Sequence, residues 1–193
     1  MEKHIDIYAL FEQIANNNPK AFQLFFDYTY SQLFRFTSYF IEDEELSKDV
    51  ISDVYLYIWQ NRKKLPAIRN YENYLFICVR NMSLNYLKNI NRYQKIKLEE
   101  TNILQMPDRN TPEDDLLNDE LRIIIELAIN TLPQRCRLIF FMVHEEGLKY
   151  KEVAEILSIS DRTVHAQMCI AIKKIGTIVK EYLADSQFKN KKN

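Results

Sequence analysis

The sequence predicts an all-α protein: two helical domains joined by a flexible linker. Three observations carry that expectation. The 193 residues hold two glycines and five prolines, whereas α/β folds need many glycine-rich turns. Long apolar runs repeat at helical spacing. The stretch from Glu99 to Asn118 has no apolar periodicity and contains Met106-Pro107 and Thr111-Pro112-Glu113-Asp114-Asp115, the composition of a linker. The expected division is residues 1–97, a linker at 98–118, a second domain at 119–183 and a polar tail at 184–193.

Taken in order, Ile5 to Ile41 reads as two helices broken at Asn16-Asn17-Asn18-Pro19. In the second, Phe22, Phe26, Tyr30, Leu33 and Phe34 keep helical spacing and are assigned to core packing. After the acidic turn Glu42 to Glu45, a helix from Ser47 to Lys64 places Val50, Val54, Tyr57 and Ile58 on one face, with Tyr55, Leu56 and Trp59 pointing elsewhere beside Asp49 and Asp53. That second surface suits a protein partner, because aromatic residues enrich interface cores and charges fix register. Another helix of the same domain would cover it equally well.

Pro66 disfavours helical geometry at Leu65 and breaks the helix. From Asn73 a long helix follows, with Tyr74, Ile77, Cys78, Met82 and Leu84 helping to bury it, and Arg80, Asn81, Asn85, Lys88 and Arg92 supplying cations and amides. Rings at its entrance, Tyr71 and Tyr74, followed by a basic stripe, provide what single-stranded nucleic acid requires: surfaces for unpaired bases and charges that follow the phosphates. A solvated basic helix face has the same pattern.

Beyond the linker, helices are expected at Asn118 to Asn130 and at Gln134 to Glu146, punctuated by Thr131-Leu132-Pro133 and closed by Gly147 as the C′ residue. Tyr150, Val153 and Leu157 then form the stripe of a short helix that stops near Ser158. Ser160 is placed to cap the next helix, and Asp161 in the first turn suits the helix dipole. Val164, Met168, Ala171, Ile172 and Ile175 share its expected buried face. Opposite lie Arg162, Ala166, Cys169 and Lys173, with Thr163 and Ile170 on one shoulder and His165 on the other. Two helices on a tight turn, the second presenting a flat, cationic, small-sided face, form the helix-turn-helix layout that seats a recognition helix in the major groove. An ordinary pair of antiparallel helices is the competing reading.

Net charge is −1, but it is unevenly spread. Asn73 to Leu98 holds five basic residues and no acid, while Glu99 to Glu126 holds nine acids against Arg109 and Arg122. Nucleic-acid binding depends on such local patches rather than on the sum. Cys78, Cys136 and Cys169 are odd in number and far apart, which reads as reduced thiols in a cytoplasmic protein. No signal peptide is expected, and apolar runs such as Leu138 to Val143 are too short for membrane insertion. His4, His144 and His165 lack metal-ligand spacing, and there is no glycine-rich phosphate loop. No enzyme activity, metal, cofactor or small-molecule substrate is expected.

With both halves in view, residues 20 to 180 resemble a sigma factor of the sigma-70 family, in its extracytoplasmic-function (ECF) subfamily. Leu132-Pro133, Glu146-Gly147-Leu148, Tyr150, Glu152-Val153-Ala154 and Thr163-Val164 stand in the order and spacing of region 4. Asp49 through Tyr55 and on to Trp59 resembles the region 2.2 helix that docks on the clamp helices of RNA polymerase, although the family usually has Gln-Glu where Ser52-Asp53 stands. Tyr74-Leu75 and Arg80-Asn81 resemble regions 2.3 and 2.4, with Tyr74 in place of the common Trp and Asn85 in place of a frequent Asp.

The resemblance implies a subunit that directs core polymerase, through its clamp helices and flap, to promoter DNA. The −35 duplex would be read by Arg162, Thr163, His165, Ala166, Cys169 and Lys173. The −10 strand would meet Tyr71, Tyr74, Arg80, Asn81, Asn85, Lys88 and Arg92, with the loop Pro66 to Tyr71 taking one flipped base. Core polymerase would engage Asp49, Ser52, Asp53, Leu56 and Trp59. The resemblance further implies an anti-sigma factor as partner of the free chain. The rival expectations are a free-standing helix-turn-helix regulator and a helical protein-interaction module without DNA binding.

Overall fold

The structure, a computed structural model, describes residues 5–41, 43–94 and 116–190. Among the described residues every regular element is helical. The chain divides into two compact units, Met1–Leu104 and Gln105–Asn193. The expected linker lies largely outside the described residues, and its last part is helical, since the first helix of the second unit begins at Leu116.

In the N-terminal unit, α1 (Ile7–Ala15) and α2 (Pro19–Ser38) are separated by Asn16 to Asn18. Asp6 caps α1 by accepting from the amides of Tyr8 and Ala9. Asn18 caps α2 through Lys20 and Ala21, with Pro19 at its start, where a missing N–H costs no helical bond. Asn17 sits at φ 63°, a left-handed conformation that asparagine tolerates better than most side chains.

The buried stripe of α2 is Ala21, Phe25, Thr29, Leu33, Phe36 and Thr37, not the aromatic series read from the sequence; of that series only Leu33 is fully buried. Phe22, Phe26, Tyr30 and Phe34 flank the core half-buried. Thr29 and Thr37 can face inward because each hydroxyl donates to a carbonyl one turn back, Phe25 O and Leu33 O, both at 2.8 Å.

Helix α3 (Glu44–Gln60) starts earlier than expected, capped by Asp43 through the Leu46 amide at 2.9 Å, and gives way to a 3-10 helix at Arg62–Ala67. Tyr55 and Tyr57 exchange the roles expected of them. Tyr55 is buried between Phe22, Phe25 and Phe26, with its hydroxyl 2.8 Å from Thr29 Oγ1, whereas Tyr57 is exposed. Helix α4 (Tyr71–Gln94) packs on α2 and α3 through Leu75, Phe76, Val79 and Ser83. The residues expected to bury it, Tyr74, Ile77, Cys78, Met82 and Leu84, are only half-buried.

In the C-terminal unit, α5 (Leu116–Asn130) and α6 (Gln134–Phe140) both lie against the last helix. The helix expected to reach Glu146 changes at Phe141–Glu145 to a π turn. Gly147 follows at φ +67°, where a side chain would be strained. Helix α7 (Tyr150–Leu157) buries Val153, Ala154 and Ile156, leaving Tyr150 and Leu157 half-buried. Helix α8 (Asp161–Asn190) continues past Leu183, where the polar tail was expected, since nothing between Ala184 and Asn190 is a helix breaker.

Candidate nucleic-acid interface

The C-terminal unit forms a helix-turn-helix. Ser158 ends α7 in the left-handed conformation, φ 53°, at the position glycine often takes. Ser160 Oγ then accepts the Thr163 amide at 3.1 Å and so starts α8. Val164, Met168 and Ala171 anchor α8 to the unit's core. Ile172, assigned to that buried face by periodicity, is 60% exposed, and Ile175 is half-buried, so the packed stripe is narrower than expected.

The opposite face carries Arg162, Ala166, Cys169 and Lys173, all exposed and within about 60° of one another at 3.6 residues per turn. His165 is exposed on their shoulder, its ring meeting Tyr150 edge-on at 6.0 Å and its Nδ1 3.6 Å from Cys169 Sγ. Thr163 is half-buried, and its hydroxyl is paired with Ser160 at 2.7 Å. Thr163 therefore shapes the turn as well as bordering the surface. Two cations with small side chains between them allow a backbone to approach a groove closely while Arg162 reaches base edges or phosphate.

In the N-terminal unit, Tyr74, Asn81, Asn85, Lys88 and Arg92 fall within about 60° on the side of α4 away from Leu75, Phe76 and Val79, by the same helical arithmetic. Asn81, Asn85 and Lys88 are exposed; the side chain of Arg92 lies outside the described residues. Arg80 stands apart, about 100° from Asn81, half-buried with Nη1 3.4 Å from Asn81 Oδ1. Tyr74 is half-buried, and burial followed by the neighbouring Cys78 raises its phenol above the ordinary tyrosine range, so the ring stays neutral. Burial pushes the Cys78 thiol up to about 11. Tyr71, at the helix entrance, is likewise raised by burial and then by Glu72. Asn70 caps this entrance by accepting the Asn73 amide at 2.9 Å.

On α3, Asp49, Ser52, Asp53 and Leu56 are exposed along one face, Leu56 at 53%. Trp59 differs from the other four. It is half-buried, its ring 5.0 Å from Phe22 and covered by the Arg62 guanidinium at 4.7 Å. Sequence reasoning assigned Tyr57, exposed on α3, to the packed face, and passed over Tyr8, whose hydroxyl donates to Arg69 O at 2.7 Å. Only contacts across many residues of sequence reveal the second of these.

These surfaces define a class: an all-helical protein with a helix-turn-helix in one unit and a ring-and-amide helix face in the other. Residues 122–175 match the family model for sigma-70, region 4. Over 175 residues the chain is 23% identical to the ECF RNA polymerase sigma factor SigK of Mycolicibacterium vanbaalenii, covering 86% of each protein. It is 22% identical to the ECF RNA polymerase sigma-E factor of Haemophilus influenzae, over 87% of this chain and 92% of that one. The fold is similar to that of the sigma factor RpoE, solved in complex with the anti-sigma factor NepR from Bartonella quintana, with a TM-score of 0.60, 17% identity, and 83% of this chain and 98% of that one covered. The chain is thus similar to the sigma-70 proteins, in region 4 by the family model. Over most of its length it is similar to their extracytoplasmic-function members.

Proposed function

We propose that this chain is a sigma subunit: it binds RNA polymerase core, brings it to particular promoters and starts DNA-templated transcription. The observation that carries the reading is the presence, in one chain, of a cationic outward helix face in a region 4 segment and a second unit whose α4 presents Asn81, Asn85 and Lys88 outward beside a half-buried Tyr74. A free-standing regulator needs only the first.

In this reading Arg162, Thr163, His165, Ala166, Cys169 and Lys173 face the −35 duplex. Tyr71, Tyr74, Arg80, Asn81, Asn85, Lys88 and Arg92 hold the strand that melts at −10. The loop from Pro66 to Tyr71 takes one extruded base, at a cost of a few kcal/mol that is least where the duplex is already opening. Asp49, Ser52, Asp53 and Leu56 meet the clamp helices of the polymerase, and Trp59 supports that face from its edge. Promoter melting here is binding, not covalent chemistry: stacking and phosphate contacts stabilise the open strand.

The domain roles follow the expected division at 1–97 and 119–183. Among the described residues no helix is long and apolar enough to cross a membrane; the place of action in this proposal is the cytoplasm, beside the polymerase. Because RpoE was solved with an anti-sigma factor, a protein that masks the free chain is part of the proposal. Run-off transcription tests it. Purified core polymerase plus this chain yields a defined transcript without any other sigma factor; a chain that acts only when another sigma is supplied is an activator instead.

A further inference from the structure

Helix α1 lies against the segment that leads from α3 to α4, and two side-chain bonds join them across long stretches of sequence. At one end Arg62 Nε donates to Asn17 Oδ1 at 2.6 Å, while Arg62 Nη1 holds Trp59 O at 2.8 Å. Asn17 offers its amide from the left-handed position just beyond α1. At the other end Tyr8 donates its phenol to Arg69 O at 2.7 Å, and its ring meets Tyr71 edge-on at 5.9 Å.

Between the two, Leu65 is wholly buried in an α1 face built from Ile7, Leu10, Phe11 and Ile14. The packing of Leu65 fixes where the segment sits. After Ala67 the 3-10 helix ends and the backbone becomes extended at Ile68. Tyr8 reaches across from α1 to this stretch, and it grips backbone, so its effect is independent of the Arg69 side chain.

We infer that Tyr8 is a positioning residue for strand capture: its hydroxyl holds the Arg69 carbonyl, and its ring edge holds Tyr71, in the arrangement that receives the extruded base. This rests on the sigma-factor reading of the loop. A preorganised loop stabilises the melted state without paying the ordering cost on binding.

The test compares Tyr8→Phe and Leu10→Ala, each full-length chain assembled with core polymerase on a promoter fragment whose start site has been mapped. Closed-complex affinity, the rate of strand opening by permanganate reactivity, and the melting temperature of the chain are measured. Tyr8→Phe keeps the ring and loses one hydrogen bond, so opening slows about three- to tenfold while core affinity and closed-complex affinity stay unchanged. Leu10→Ala lowers the melting temperature more than Tyr8→Phe but leaves the opening rate near that of the parent chain. Unchanged opening in Tyr8→Phe overturns the inference, as does equal slowing in Leu10→Ala. If the parent chain opens no promoter, it is the sigma-factor reading that fails.

Discussion

Single side chains separate the two proposed DNA surfaces from each other. Arg162→Ala and Lys173→Ala should each weaken binding of a −35 duplex about 5- to 100-fold, the loss of one charged contact, with core-polymerase affinity unchanged. Titration of labelled duplex checks this, and loss of core binding instead would remove α8 from the DNA. Cys169 supplies an internal reporter. It is exposed on the same face, whereas Cys136 is buried and the Cys78 thiol is held near 11, so a maleimide near neutral pH should label Cys169 first. Bound duplex should slow that labelling, as read by mass spectrometry. Equal rates with and without DNA would mean that the face is elsewhere.

The outward face of α8 was legible in the sequence because an outward-facing helix needs only its own period. Ile172 was not, because exposure of an apolar residue at the stripe's edge depends on which neighbour stops short. Thr163 shows a further limit: its hydroxyl is occupied by Ser160, a pairing that spacing alone does not distinguish from availability.

At the level of helices, α3 serves the core with one side, and the proposed polymerase contact uses the other. Asp53→Arg places a cation on the exposed side, away from Val54 and Tyr55, and should reduce association with core polymerase without altering the fold. A pull-down with unchanged recovery would argue against the proposed clamp contact. On the buried side, Tyr55→Phe should cost about 1 kcal/mol by denaturant titration, because Thr29 retains its bond to Phe25 O. Tyr55→Ala should cost about 3–5 kcal/mol, as for other large aromatic truncations.

The same tyrosine gives a pH dependence. Burial raises its folded-state pKa to about 12, above the value near 10 in the unfolded chain, so its contribution is full below about pH 10 and disappears as pH climbs toward 12. Tyr55→Phe should flatten part of that alkaline loss. Periodicity located α3 but reversed Tyr55 and Tyr57. Both lie near the boundary of an apolar arc, and the choice is made by Phe22, Phe25, Phe26 and Thr29 on a different helix. Likewise the core side of α2 includes two threonines, which a hydrophobic pattern discounts although i−4 carbonyls satisfy them.

For the molecule as a whole, a near-zero net charge conceals a basic α4, an acidic stretch after it and a cationic α8 face. The all-helical class and the helix-turn-helix were legible because low glycine content, caps and helical spacing all agree locally. Tyr8 was not, because its partner at Arg69 is far away in sequence and is a backbone carbonyl, for which side-chain pattern carries no signal.

The central claim is that two nucleic-acid surfaces on one chain act together when a polymerase holds them. The most direct measurement is footprinting of one mapped promoter fragment by core polymerase with this chain, scoring duplex protection near −35 and permanganate-reactive thymines near −10 in the same sample. Both signals should appear only when core and chain are present together. Protection by the chain alone, with no melted thymines when core is added, would contradict the account.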